Sequence, residues 1–350
     1  MPFGEHSSLR RILLAIVLNG LSFAALQVAV AVLVGDRFGP SGVGILLGAG
    51  VFGRLCAPRL ERVDGFGLGQ RCASLAVTTT LLVGVLAVAP LPVLALLMAP
   101  VGCFAVLYSG ALLSGIPSSI PAGSAANMIG QSVGMFAAGF LAASGALPVV
   151  VLVAVTALLH LLVPLFVSSP RSPAPVDQPA SLAWLYPFLL ATFSYGPLGL
   201  FAVLVSEEFG ARWVGPAFLV YAVGSIVAAR LAKTVHVSPA TGALLAAAAS
   251  LLWVVGFSSV VVMLSARLLS GVLLFLAQGS ALRRAAESGG SAAVTSALVG
   301  LGVGASAGAF WCGFLAELSI PAMAIASAAF SALLAVLCRL RPRVVLGSSS

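Results

Sequence analysis

A chain of 350 residues that is 61% hydrophobic and only 7% charged cannot build a water-soluble surface, because soluble domains carry about 25% charged residues. The mean hydropathy of +1.17 agrees with this and makes lipid the expected solvent. The formal net charge of +8 does not indicate nucleic-acid binding, because the basic residues form short clusters between apolar runs and no basic face with interleaved aromatics exists.

Apolar runs that approach the length of a bilayer crossing, about 20 residues, follow one another along the whole chain. We count twelve spans: Arg11–Val34, Ser41–Ala57, Cys72–Ala89, Leu91–Leu113, Ala122–Ser144, Leu147–Val167, Trp184–Val205, Val214–Leu231, Thr241–Gly256, Ser258–Leu282, Ser291–Leu315 and Ile320–Leu340. The second and ninth spans are short. The turn near Gly256 is the boundary that the sequence marks least clearly.

A polar segment rich in Pro and Ser, 168–181, interrupts the apolar runs near the middle of the chain. Its prolines cannot continue a helix, so it is typical of an extended linker. We predict an N-terminal six-helix half (1–167), a cytosolic linker (168–183) and a C-terminal six-helix half (184–350).

Lys and Arg residues set the orientation, because cytoplasmic loops of membrane proteins carry an excess of them. With the N-terminus inside and twelve spans, Arg37 and Arg212 lie outside and Arg267 lies within a span. The other basic residues of the total of 17 lie inside: Arg10, Arg11, Arg54, Arg59, Arg62, Arg71, Arg171, Arg230, Lys233, Arg283, Arg284, Arg339, Arg341 and Arg343. We therefore predict a multi-pass membrane protein with both termini in the cytoplasm. Its alanine-rich composition indicates a bacterial inner membrane.

The chain also repeats itself over a shift of about half its length. Val34–Gly44 matches Val205–Gly215, and corresponding later spans match in the same order. The matched glycines are Gly39 with Gly210, Gly44 with Gly215, Gly53 with Gly224, Gly102 with Gly271, Gly110 with Gly279, Gly134 with Gly308, and Gly139 with Gly313. Two similar apolar halves are a common plan of secondary transporters.

A six-plus-six parallel repeat with a central cytosolic linker resembles the major facilitator superfamily, although the signature motifs of that family are degraded. The resemblance implies an all-α membrane protein with twelve transmembrane helices in two six-helix halves related by a pseudo-twofold axis. In span five, Met135 stands where antiporters of the family have a proline, which weakens an exporter assignment. The spacings Gly130-x-x-x-Gly134 and Gly304-x-x-x-Gly308 predict close helix approach, which we expect at the interface of the halves.

The cytosolic loop after span two keeps the charges of the family motif but not their order. The resemblance implies an inner gate at Arg59, Glu61, Arg62 and Asp64, with Glu61 or Asp64 pairing with a neighbouring arginine. The alternative is a solvated loop that only sets the topology.

The family motif Arg-x-x-x-Gly of span four is absent here, since Met98 precedes Gly102, and it occurs instead in span ten as Arg267 and Gly271. An arginine within a span is costly and normally faces a cavity or a partner. We interpret Arg267 as a site for an anionic substrate group or as part of a gating pair. The alternative is a structural ion pair with Glu207, Glu208 or Glu317.

In the family, spans one, four, seven and ten line a central cavity. On those spans the candidate cavity residues are Asn19, Ser22, Gln27, Tyr108, Ser109, Tyr195, Arg267 and Gln278. Each of them alternatively forms a hydrogen bond between helices. A mostly apolar cavity with a few polar anchors suits a small apolar or amphipathic molecule better than a sugar.

No residue is an obvious candidate for coupling transport to an ion gradient, because no acidic residue lies deep in a span. Asp36, Glu207 and Glu208 lie at outer ends and are candidates for gating or coupling, and His160 is the intramembrane histidine. Proton antiport, proton symport and uncoupled facilitation all remain open.

We predict a secondary transporter that moves a small, largely apolar or amphipathic organic molecule by alternating access, with efflux as the direction. The alternatives are uptake of a small organic anion through Arg267 and a transporter-like membrane protein that transports nothing.

An enzyme is not expected, because no catalytic spacing, HExxH, GxSxG or P-loop pattern occurs. The five cysteines form no CxxC pair and predict packing residues, not a metal site. We expect no cofactor, and as partners the lipid bilayer, the substrate and protons, no nucleic acid, and a monomeric chain.

Overall fold

The computed structural model describes residues 3–63, 67–114, 120–167, 184–232 and 234–341, and it leaves out some side chains within these ranges. All regular elements in the described residues are helices.

The helices follow the predicted spans in order. Spans one and two are two helices within Phe3–Val63 that meet at a kink at Gly39, and spans ten and eleven share the helix Val260–Leu318. Spans three, four, five, nine and twelve are single helices: Leu68–Val85, Leu91–Ser114, Ile120–Ala142, Pro239–Gly256 and Ile320–Leu340. The remaining spans consist of consecutive short helices. Span six is Ala146–Leu159, His160–Leu162 and Val163–Phe166; span seven is Leu185–Ser194, Gly196–Gly199 and Phe201–Phe209; span eight is Ala211–Trp213 and Val214–Leu231.

The count of twelve spans is confirmed for the described residues. Nine helices there are long and apolar enough to cross a membrane, and the first of them, Ser8–Ala57, contains two spans. The shorter apolar helices Ile129–Ala142 and Leu185–Ser194 lie in spans five and seven. The predicted boundary near Gly256 is also confirmed, because one helix ends there and the next begins at Val260.

Two helices extend beyond the predicted spans. The apolar stretch of span two ends at Ala57, as predicted, but its helix continues to Val63. Spans ten and eleven are the separate apolar stretches Val260–Ala285 and Val299–Leu318, and the helix is continuous between them. The stretch after Leu282 contains no proline; its arginines and alanines favour a helix, whereas Gly289 and Gly290 do not.

Two of the matched glycines end the first span of each predicted half. Gly39 has φ of 66° and Gly210 has φ of 90°. Residues with a side chain rarely adopt this conformation, whereas glycine does so at little cost. The repeat therefore preserves glycine here because the backbone must leave one helix and enter the next.

The chain folds into two compact units. Unit 1 comprises Met1–Phe38, Ala49–Val176 and Gly210–Gly215, and unit 2 comprises Gly39–Gly48, Asp177–Phe209 and Pro216–Ser350.

Two further matched pairs, Gly53 with Gly224 and Gly102 with Gly271, mark helix crossings that recur in both units. A Cβ on Gly53 would collide with the carbonyl oxygen of Ala99 in span four, and a Cβ on Gly224 would collide with that of Leu268 in span ten. The same two span pairs cross a second time at Gly102 with Gly50, and at Gly271 with Tyr221. Each unit therefore packs its second span backbone to backbone on its fourth.

The close approach predicted for the paired glycines of spans five and eleven is also confirmed. A Cβ on Gly130 or Gly134 would meet the backbone of span one, and a Cβ on Gly304 or Gly308 would meet that of span seven. These four glycines therefore pack each span against the first span of its own unit.

Candidate functional site

A polar pair joins spans one and four of unit 1. The Asn19 side chain donates a hydrogen bond of 3.1 Å to the Ser109 hydroxyl. Asn19 and Ser22 also line a small recess between spans one, three and four, together with Phe23, Leu26, Leu75, Thr79, Val101 and Ala105. The structure therefore brings three of the predicted cavity residues together.

The recess is too small for an organic substrate in this conformation. Its volume is about 10 Å³, roughly the space that a single water molecule needs. Sites for drug-sized ligands usually enclose about 300–1,000 Å³. Gln27, the other predicted residue of span one, is half-buried and does not line this recess.

Tyr108 is part of the packed interior of unit 1. Its hydroxyl donates to the carbonyl oxygen of Ala15 at 3.3 Å, and its ring meets the His160 ring edge to face at a centroid distance of 5.1 Å. The carbonyl oxygen of Thr156 accepts from Nδ1 of His160 at 2.9 Å, so Nδ1 carries a proton. Nε2 of His160 is buried without a hydrogen-bond partner among the described residues.

The corresponding polar contact in unit 2 joins spans seven and ten. The Tyr195 hydroxyl lies 3.1 Å from the carbonyl oxygen of Leu274 and 3.2 Å from Oε1 of Gln278. Both atoms are acceptors, so the tyrosine is the donor. Gln278 aligns with Ser109 in the repeat, and each unit therefore uses the same position of its fourth span to contact its first span.

Arg267 is the most unusual residue of unit 2. It is only 2% exposed, and its guanidinium lies over the Trp253 ring at 3.8 Å and over the Phe201 ring at 4.8 Å. Among the described residues its Nε has no hydrogen-bond partner, and no carboxylate lies within ion-pair distance. Removing an unpaired charge from water costs roughly several kcal/mol. Cation–π contacts in a desolvated site each offset about 2 kcal/mol of this.

The carboxylates suggested as ion partners of Arg267 lie elsewhere. Glu317 accepts a hydrogen bond of 3.2 Å from the backbone N–H of Ser41, near the start of span two. Glu207 and Glu208 are exposed at the end of span seven, and Asp36 is exposed at the end of span one. The proposed structural ion pair of Arg267 is therefore absent from the part of the chain that the structure describes.

The predicted inner gate lies outside the described residues. This holds for the side chains of Arg59, Glu61 and Arg62, for Asp64, and for the linker 168–183. The gate and the linker stay predictions. The cysteines are free, and apart from Cys56 they are buried.

Sequence reasoning missed the aromatic neighbours of Arg267. No local spacing connects Phe201, Trp253 and Arg267, which come from three different spans. The repeat could have pointed to these neighbours, because Phe201 and Trp253 are aromatic where the aligned residues of the first half, Val30 and Leu82, are aliphatic. It also missed Thr79 in the recess.

The sequence matches no protein-family model and no curated protein. Its structure is similar to those of solved transporters over nearly the whole length of each. A bacterial homolog of the human lysosomal transporter Spinster, inward-facing and occupied, has a TM-score of 0.69 at 15% identity, with 100% of this chain and 99% of that chain covered. The nucleoside transporter NupG has a TM-score of 0.71 at 11% identity, with 98% and 99% covered. A D-xylose-proton symporter has a TM-score of 0.72 at 13% identity, with 95% and 97% covered.

The chain has the major facilitator fold. The predicted fold class is confirmed by this similarity. The two polar contacts then acquire a place in a known architecture: Asn19 with Ser109, and Tyr195 with Gln278, join the first and fourth spans of each unit, which are the spans predicted to line the cavity.

Proposed function

We propose that this protein is a secondary transporter that exports a small, largely apolar or amphipathic organic molecule by alternating access. The observation that carries the proposal is the similarity of nearly the whole chain to solved transporters with the major facilitator fold.

The chemistry of the cavity spans supports an apolar or amphipathic substrate. The polar side chains of spans one and seven contact those of spans four and ten, which leaves few free donors and acceptors for a sugar. The rest of the recess in unit 1 is lined mainly by Phe, Leu, Val and Ala. Such a surface binds a ligand through apolar contact and orients it with a few hydrogen bonds. Export fits because an apolar substrate reaches the carrier from the inner leaflet.

Transport by the purified full-length protein in proteoliposomes tests the proposal. We expect flux of a lipophilic fluorescent amine, and little flux of a nucleoside or of xylose, which are the solutes named for two of the similar structures. Protein-free liposomes supply the control. Flux of the nucleoside alone would mean that the substrate is a nucleoside and not an apolar or amphipathic molecule. Flux of none of the probes would favour the alternative of a transporter-like membrane protein that transports nothing.

For energy coupling we propose proton antiport through the exposed outer carboxylates Asp36, Glu207 and Glu208. A proton symporter among the similar structures supports protons as the coupling ion, and the proposed export makes the exchange an antiport. An imposed proton gradient is expected to accelerate amine flux, and neutralising the three carboxylates is expected to remove that acceleration. Equal rates with and without the gradient indicate uncoupled facilitation.

The cellular setting that we propose is a bacterial inner membrane, with both termini in the cytoplasm and the chain acting as a monomer. Cysteine labelling from each side of the membrane tests the orientation. Arg37 and Arg212 are exposed at the predicted outer turns, so cysteines at these positions are expected to react from the periplasm.

A further inference from the structure

We propose that the Arg267 guanidinium binds the carboxylate of an amphipathic organic anion with an aromatic body, and that such anions are one class of substrate besides the amines. This rests on the proposed transport function and adds an anionic class to its substrates.

The charge of Arg267 is the first argument. A buried guanidinium in a membrane span needs an anion or a set of carbonyl acceptors. The part of the chain that the structure describes offers it neither, since the guanidinium contacts the faces of Trp253 and Phe201 and its Nε is unpartnered. The missing negative charge is therefore to be supplied by a ligand.

The contacts of the guanidinium supply no oxygen acceptor. The five N–H donors of a guanidinium lie in its plane and point outward from its edge. The guanidinium carbon lies over the rings of Trp253 and Phe201, at 3.8 Å and 4.8 Å from their centroids, and these two rings meet at an angle of 79°. The rings therefore enclose the group from two sides without an acceptor for its donors. A carboxylate would supply that acceptor through two parallel hydrogen bonds.

An aromatic column leads from the outer end of unit 2 to this charge. Phe209 stacks on Phe257 with a centroid distance of 5.8 Å, and Phe257 stacks on Trp253, also at 5.8 Å. Phe209 and Phe257 are half-buried next to the turns that end spans seven and nine. Aromatic rings stack on one another with a gain beyond simple burial, so this column favours an aromatic ligand body.

The repeat shows that the fold does not require these residues. The aligned positions of unit 1 are Met98, Leu82 and Val30, all of them buried and without charge or ring. The same spans therefore pack without a cation and without aromatic rings. Arg267 is enclosed here, so a ligand reaches it only when the spans around it move, which is the movement that alternating access supplies.

Binding of benzoate to the full-length protein in lipid nanodiscs tests the site, with benzyl alcohol as the neutral molecule of similar shape. At neutral pH we expect benzoate to raise the thermal unfolding midpoint with increasing concentration and to change tryptophan fluorescence, and benzyl alcohol to do neither. Arg267→Met is expected to remove the benzoate effect. Arg267→Lys keeps the charge but not the planar fork and is expected to weaken binding by about tenfold or more.

Arg71→Met is the matched control. Arg71 is also a buried arginine, but it donates to the carbonyl oxygen of Leu107 in unit 1, at 2.8 Å. This variant is expected to keep the benzoate effect. Equal effects of benzoate and benzyl alcohol on the unaltered protein, or a benzoate effect that survives Arg267→Met, would overturn the proposal.

The outcome is distinguishable from failure of the transport proposal. Amine flux without a benzoate effect removes the anion site and leaves a transporter. A benzoate effect without flux of amine or benzoate keeps the site in a protein that only binds.

Discussion

Unit 1 and unit 2 share the same helix crossings but differ in the chemistry of one buried position. Met98 and Arg267 occupy the same place in spans four and ten, and both are buried. Around the methionine position the aligned residues are Val30 and Leu82, whereas Arg267 contacts Phe201 and Trp253. The glycine crossings beside them are the same in both units. The architecture therefore comes from the shared glycines, and the departure from the repeat identifies the residue with a chemical task.

The largest expected effect comes from giving unit 1 the charge of unit 2. Met98→Arg places a cation among aliphatic residues with no aromatic face and no anion, at a cost of about 3 kcal/mol or more. We expect a clear fall in the thermal unfolding midpoint in detergent micelles. Met98→Leu, which keeps the volume and the apolar character, is expected to unfold near the unaltered protein. A stable Met98→Arg variant would mean that unit 1 can also compensate a buried charge.

The shared glycine crossings are tested by adding one methyl group in each unit. Gly271→Ala and Gly102→Ala drive a Cβ into the backbone of spans eight and two, so each is expected to destabilise by about 1–3 kcal/mol. Gly279→Ala and Gly110→Ala lie on the same two helices, where an added Cβ meets nothing within 4 Å. These controls are expected to be neutral or slightly stabilising, because alanine favours a helix. Thermal unfolding of all four variants measures the difference, and four equal values would contradict the crossing.

The aromatic compensation of Arg267 is measured with a double-mutant cycle. Trp253→Leu removes the ring that lies 3.8 Å from the guanidinium and restores the residue found in unit 1. We expect a coupling free energy between Trp253→Leu and Arg267→Met of about 1–2 kcal/mol, since the ring matters less once the charge is gone. Trp253→Phe keeps an aromatic face and is expected to lose less stability than Trp253→Leu. Additive effects would show that the stacking does not stabilise the charge.

The smallest effect is expected at the polar contact of unit 2. Tyr195→Phe removes the hydroxyl that contacts Leu274 and Gln278 while keeping the ring. Hydrogen bonds between helices in membranes contribute about 0.6 kcal/mol on average, so the unfolding midpoint should fall only slightly. Asn19→Ala in unit 1 offers the comparison, because it removes the contact with Ser109. A loss of several kcal/mol in either variant would mark a larger polar network than the contacts described.

The fold was predictable because its main signals are local or repeated. Apolar runs of bilayer length indicated the number of spans, and the glycines matched between the halves lie, in the structure, at the helix ends Gly39 and Gly210 and at the crossings of Gly53 and Gly224. The sequence also separated spans ten and eleven correctly, but it did not indicate that one helix continues between them.

The candidate site was predictable only as a set of polar residues on the correct spans. Asn19 and Ser109, or Tyr195 and Gln278, are far apart in sequence, and no spacing rule pairs them. The same holds for Arg267, for which the sequence suggested carboxylate partners at the outer ends of the spans. Its neighbours in space are rings from spans seven and nine.

The sequence by itself determined that this chain belongs in lipid, that it crosses the membrane twelve times, and that it is built from two similar halves. Composition, run length and repetition along the chain carry that information without reference to any contact. Only the tertiary structure decided what each buried polar group touches. A side chain in a span has no water to satisfy it, so its state depends on which residues of other spans reach it in space.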